Sequence, residues 1–218
     1  MTRLLDLGLE RITEIIMNMA NLSEMCVMNA IESYENGIVK KNEIFQWSEK
    51  LKVFQLEVSD LATELIFRYQ PVATDLRYIR SCMEIAYGFS RFGRYAYDIV
   101  ELLETIGSFH KCDKSLVLET SNVASEMIRL SINALQTKEK NTVSKLYKMD
   151  DSVDALYTNY LKDLITLKTD SNDHPLQDPR CAISALLIMR YLERIADHAC
   201  YIGDSFYFIA TGESSPRK

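Results

Sequence analysis

The chain has 218 residues, 47% of them apolar, with 25 basic and 31 acidic side chains and a formal net charge of −6. Seven glycines and four prolines are few for this length and favour long helices over turn-rich β architecture. The acidic balance, with Lys and Arg scattered singly, argues against direct nucleic-acid binding; acids inside the opening MTRLLDLGLERITE argue against a signal peptide, and no apolar run approaches the ~18 residues of a membrane span. A soluble, cytoplasmic protein is expected.

Punctuation divides the chain into long segments. The first ends at Asn36-Gly37 and the second at Pro71; the second carries the apolar seam Ile44, Trp47, Leu51, Phe54, Val58, Leu61, Leu65. Steps of three and four are the signature of one buried helical face. The third segment, ending at Gly107, repeats that spacing in Cys82, Ile85, Phe89, Phe92, Ala96, Ile99, Leu103 and Ile106, with Gly88 and Gly93 inside it as sites of close packing or a kink. A polar break near residues 137–140 closes the fourth. The fifth bears Leu146, Met149, Val153, Leu156 and Tyr160, and TDSNDHPLQ separates it from the sixth. That last segment opens with Asp178-Pro179, an N-cap acid before a first-turn proline, and closes at Gly212.

The sixth seam (Ala185, Ile188, Leu192, Ile195, Ala199, Ile202, Phe206, Ile209) matches the third at an offset of about 103 residues, and the fifth follows the second at about 102. Shared residues at that offset include Asp75/Asp178, Arg77/Arg180, Arg91/Arg194 and Ala96/Ala199. The expected fold is all-α, two tandem pseudo-symmetric three-helix bundles spanning residues 1–107 and 108–218. Five cysteines (Cys26, Cys82, Cys112, Cys181, Cys200) show no C-x-x-C spacing, so they read as small core residues of a reducing compartment, without a disulfide framework.

Two pairs of acids stand out. Asp150 and Asp154 are four apart on helix five, Glu193 and Asp197 four apart on helix six, and each sits next to a core position, after Met149, Val153, Leu192 and Ala196 respectively. If the two helices lie side by side, four carboxylates converge; like charges raise one another's pKa, and a hard cation relieves the repulsion. The residues alone favour a simpler account, exposed acids paired with Arg190 and Arg194. In the first half Ser90 and Arg94 stand where Glu193 and Asp197 do, and the counterpart of Asp150 and Asp154 is either Ser48 and Lys52 or, with a shift of two, Lys50 and Phe54. Neither register restores two acids. Asp75-Arg77 and Asp178-Arg180 read as caps with local ion pairs, and Trp47, Tyr87, Tyr95 and Tyr97 as core aromatics or a partner surface.

The stretch from Gln70 to Ile85 and that from Arg190 to Glu213 resemble two signatures of the PhoU family: Pro-Val-Ala-x-Asp-Leu-Arg, matched at Pro71, Val72, Ala73, Asp75, Leu76 and Arg77, and Leu-Glu-Arg-Ile-x-Asp-His-Ala, matched at Leu192, Glu193, Arg194, Ile195, Asp197, His198 and Ala199. The resemblance implies a homodimeric cytoplasmic regulator acting with a phosphate ABC transporter and a sensor histidine kinase. It also implies a metal, foremost iron with zinc, manganese or magnesium as alternatives, held through E/D-x-x-x-D motifs. Only the second repeat keeps such motifs, which names Asp150, Asp154, Glu193 and Asp197; His198 faces about 100° away from Asp197. A ferritin-like di-iron enzyme would need Glu-x-x-His pairs, and none of His110, His174 and His198 has a Glu three residues before it. No nucleophile–base pair or Gly-rich phosphate loop appears either, so no enzyme activity is expected.

Overall fold

A computed structural model describes residues 4–107, 112–137, 141–167 and 178–216. They form six helices: α1 (Leu4–Asn36), α2 (Lys41–Tyr69), α3 (Ala73–Ile106), α4 (Ser115–Thr137), α5 (Thr142–Leu167) and α6 (Pro179–Thr211). No strand occurs among the described residues. The expected all-α fold of six long helices is what the chain adopts. The segment TDSNDHPLQ, its His174 and also His110 lie outside the described residues.

The breakers end helices for definite reasons. Gly37 and Gly212 have φ of 74° and 77°, a left-handed conformation that costs a Cβ-bearing residue strain. Asp178 caps α6 by accepting the Arg180 amide at 3.0 Å, and its carboxylate also bridges the Arg180 guanidinium at 3.1 Å. The counterpart Asp75 does not cap, since α3 starts from an extended Val72. Arg77 packs instead against Gly212, so the two repeats use the same residue pair differently. Between α2 and α3 the chain turns through Gln70 and Ala73, at φ 45° and 43°, two L residues in the left-handed region.

Within each half all three helices touch one another. The halves meet through α3 on α6, the most extensive helix pair, and through α1 on α4, while α2 and α5 touch only their own half. Ascending positions of α3 meet descending ones of α6: Arg80 lies over the Phe208 ring, Glu84 accepts from the Tyr201 hydroxyl, and Tyr95 stacks on Tyr191. The two helices are therefore antiparallel. Tyr95 and His198, equivalent in the repeat, have rings 5.8 Å apart, which puts the pseudo-twofold axis close by. Gly88 and Gly93 serve close packing rather than a kink: a Cβ on Gly88 would sit 2.5 Å from Ile202 Cγ1, and one on Gly93 2.4 Å from Leu51 Cδ1. One continuous apolar core runs through both halves and contains seam residues of α2, α3, α5 and α6.

The cysteines require a correction. Cys26, Cys82 and Cys200 are buried free thiols, as core residues should be. Cys112 and Cys181 instead form a disulfide, with Cα atoms 5.4 Å apart across 69 residues of sequence. Cys112 lies just before α4 and Cys181 in the first turn of α6, and α4 packs on α6. A pairing made by tertiary packing leaves no local spacing motif, which is why the sequence offers no sign of it.

Candidate metal centre

Helices α5 and α6 are locked in register at two levels. The Tyr147 hydroxyl donates to both oxygens of Asp204, at 2.8 and 2.9 Å, and the Tyr160 hydroxyl donates to the Ala182 carbonyl at 3.4 Å. Fully buried Leu146, Val153, Leu192 and Ala196 fill the space between the two helices and their neighbours. Each acid is one residue out from this seam, so all four fall on its flank.

Asp150, Glu193 and Asp197 feel the neighbouring acids. Burial, then Asp154, Asp197, Asp151 and Glu193, push the Asp150 carboxyl up to about 7 from its ordinary 3.8. Glu193 is raised by burial and by Asp197, against the opposing pull of Arg190 and Arg194, and Asp197, exposed as a residue but partly desolvated at its carboxyl, is raised by that desolvation and by Asp154 against Arg194 and Arg190. Glu193 is 13% exposed and is held by Arg190 Nη1 at 2.5 Å, with Arg194 Nε at 3.9 Å. Asp154 and Asp197 are open to solvent.

Two oxygens in this cluster, Asp150 Oδ1 and Glu193 Oε2, are sealed from solvent without a hydrogen-bond partner. A buried carboxylate oxygen left unsatisfied is unfavourable, and a hard cation is one group that would satisfy it. The donors are all oxygen and carry the required charge. Their chemistry thus fits a hard or borderline cation, although among the described residues no three of the His, Cys, Asp and Glu side chains are drawn together tightly enough to form a ready coordination shell. Glu193 is engaged by Arg190 instead.

His198 takes no part in this flank. Its ring lies 5.7 Å from that of Tyr87, 5.8 Å from Tyr95 and 6.2 Å from Tyr201, in an aromatic cluster at the α3–α6 seam. Burial, with Arg91 and Arg194 nearby, pushes its pKa down to about 4, so the imidazole is neutral at physiological pH. Tyr95 is buried, Trp47 and Tyr97 pack on the core, and Tyr87 is partly exposed. Cys200, whose thiol is raised by burial and by Asp150 beside it, is a neighbour of the acids that the sequence reading passed over. Its place one turn beyond Ala196 on the same seam was the available clue.

The first half differs as its sequence suggests. Ile44 and Leu51 are fully buried, as are Leu146 and Val153, so the seam fixes Ser48 and Lys52 as the counterparts of Asp150 and Asp154. Ser48 is buried against Gly93 and Lys52 faces Glu49. Ser90 donates to Gln55 at 2.8 Å and Arg94 bridges Asp98 at 2.9 Å. No acid occupies any of these four positions.

Comparison with known proteins agrees with this architecture. A family model described as PhoU domain matches the chain twice, over residues 16–103 and 117–206. A protein of Zymomonas mobilis named "Phosphate-specific transport system accessory protein PhoU homolog" is 26% identical, covering 98% of this chain and 88% of its own. One of the same name from Clostridium acetobutylicum is also 26% identical, over 98% and 97%. That from Deinococcus radiodurans is 31% identical over 72% of each. Among solved structures, the phosphate transport system regulatory protein PhoU from Streptococcus pneumoniae superposes with a TM-score of 0.85 at 17% identity, covering 98% of this chain and 100% of the other. PhoU from Pseudomonas aeruginosa gives 0.84 at 20%, over 95% and 99%.

Proposed function

We propose that this chain, which belongs to the PhoU family, restrains phosphate uptake and phosphate-responsive signalling as a metal-bearing helical adaptor without turnover of its own. The observation that carries the regulatory reading is the double match to the family model, one per repeat, alongside relatives named for a phosphate-specific transport system over nearly their whole length. Its partners are then a phosphate ABC transporter and a sensor histidine kinase, and it works at the cytoplasmic face as a homodimer. No helix among the described residues is long and apolar enough to cross a membrane, so contact with the transporter would be through protein surfaces.

Metal binding rests on a separate observation, the two unsatisfied oxygens of Asp150 and Glu193 within a field of four acids. Asp150, Asp154, Glu193 and Asp197 would hold the ion, iron foremost, with zinc, manganese or magnesium as alternatives. The ion would supply positive charge that ties α5 to α6. A metal-free adaptor is the second reading, and the Arg190–Glu193 ion pair favours it, because that arginine already neutralises part of the flank.

Elemental analysis of protein purified without chelator separates the two. One metal per chain is expected, lost on Asp154→Ala with Asp197→Ala while helical content persists, since both residues are exposed and contribute little to the core. Two equal sites per chain, or a double variant that retains its metal, would rule out a single site in the second repeat.

A further inference from the structure

The five cysteines fall into two groups. Cys26, Cys82 and Cys200 are free thiols inside the core, and burial raises all three, Cys26 and Cys82 to about 12, so none is a ready nucleophile or leaving group. Cys112 and Cys181 lie at the edge of that core and are bonded to each other. Cys112, three residues before α4, is partly exposed, while Cys181, in the first turn of α6, is 8% exposed. An incoming thiol can therefore reach the bond from the Cys112 side.

The two segments that the bond joins are held unequally. Before α4, Asp113 accepts the Ser115 amide at 2.9 Å and Lys114 Nζ donates to the Glu35 carbonyl at 2.8 Å, so this segment is capped and tied to α1 independently of the bond. The start of α6 is held lightly. Of residues 178–183 only Cys181 is buried, Asp178 and Arg180 bond each other, and Ile183 is 52% exposed. From α5 the Tyr160 hydroxyl reaches the Ala182 carbonyl at 3.4 Å, at the long end of the hydrogen-bond range. The covalent bond is thus the main inward tie of this turn. A Cys181 thiolate released there would lie at the positive end of α6, which favours it as a leaving group.

We propose that Cys112 and Cys181 are a reversible redox pair, opened by a dithiol reductant and closed by a disulfide oxidant, which fastens the start of α6 to the segment before α4 only in its oxidised state. The thiolate of the dithiol attacks Cys112 Sγ, the less shielded sulfur; the Cys112–Cys181 bond breaks and Cys181 leaves as the thiolate. The second thiol of the reductant then displaces Cys112, so two electrons and two protons pass to the protein and the reductant becomes a disulfide. A disulfide oxidant runs the same exchanges backwards. From the regulatory reading the proposal takes only the compartment, a reducing one in which such a bond is a transient state.

The test uses the whole wild-type chain without denaturant, with dithiothreitol as reductant, oxidised glutathione as oxidant, and iodoacetamide labelling read by mass spectrometry. Oxidised protein should take no label at Cys112 or Cys181. Dithiothreitol should expose both to labelling while Cys26, Cys82 and Cys200 stay protected, and oxidised glutathione should restore protection once the dithiol is removed. Amide exchange in the first turns of α6 should be ~tenfold faster or more in the reduced chain, with Ile188 to Ile202 unchanged. Cys112→Ser should show the faster exchange with no response to dithiol. Reduction that occurs only in urea, labelling of the three core thiols at the same rate, a bond that does not re-form, or exchange at the start of α6 unmoved by reduction would each overturn the proposal. None of these readouts involves phosphate uptake or metal, so failure here and failure of the regulatory reading are distinct.

Discussion

At the scale of single residues, Asp150 of α5 and His198 of α6 have opposite titration behaviour. Asp150 is raised to about 7, so between pH 4 and 7 the folded chain holds more protons there than the unfolded chain, and stability falls as pH rises. His198 is depressed to about 4 from 6.5, so its contribution rises with pH between those values. In metal-stripped protein the two oppose each other below pH 6.5. Asp150→Asn removes one of them: urea midpoints for that variant should climb from pH 4.5 to 6.5 where the wild type stays flatter, and at pH 8 the variant should be the more stable. Parallel profiles would show that Asp150 is not perturbed. The flank of four acids was legible because i, i+4 spacing next to a seam fixes direction on a helix. The grip of Arg190 on Glu193, as opposed to an exposed and weakly held pair, depends on Glu193 being only 13% exposed, which sequence spacing does not specify.

At the scale of helices, spacing carried most of the information. The seams of α2, α3, α5 and α6 became the core because each alternates by three and four over long uninterrupted stretches, and the breaks at Gly37, Pro71, Gly107 and Gly212 fall at helix ends. Gly88 shows the limit: its presence hinted at close packing, but only the fold names Ile202 as the neighbour. Gly88→Ala should destabilise the protein by about 1–3 kcal/mol, because Ile202 Cγ1 is fully buried and has nowhere to move. Combining it with Ile202→Ala should cost less than the sum of the two single changes, as urea titration would reveal; strict additivity would mean that the two residues do not press on each other. The Cys112–Cys181 bond was illegible for a different reason, since it joins segments 69 residues apart that meet only after α4 packs on α6. Reduction, or Cys112→Ser, should lower stability by up to about 4 kcal/mol through the longer unconstrained loop of the unfolded chain. An unchanged urea midpoint with and without reductant would show the bond to be energetically silent.

At the scale of the molecule, the two three-helix halves share their apolar seams, and only the second carries the four acids on its flank. Core positions are constrained by packing, so Ile44 and Leu146, or Leu51 and Val153, remain interchangeable hydrophobes. At the flank, Ser48, Lys52, Ser90 and Arg94 are polar or cationic where the second half has four acids. If the acidic flank serves regulation, disabling it should resemble loss of the protein. The decisive measurement is phosphate uptake in phosphate-rich medium by a deletion strain that carries either the wild-type chain or the Asp154→Ala, Asp197→Ala variant. Deletion should raise uptake, the wild type should bring it back down, and the variant should leave it raised although the protein accumulates folded. Uptake unchanged by the deletion, or restored in full by the variant, would contradict the account.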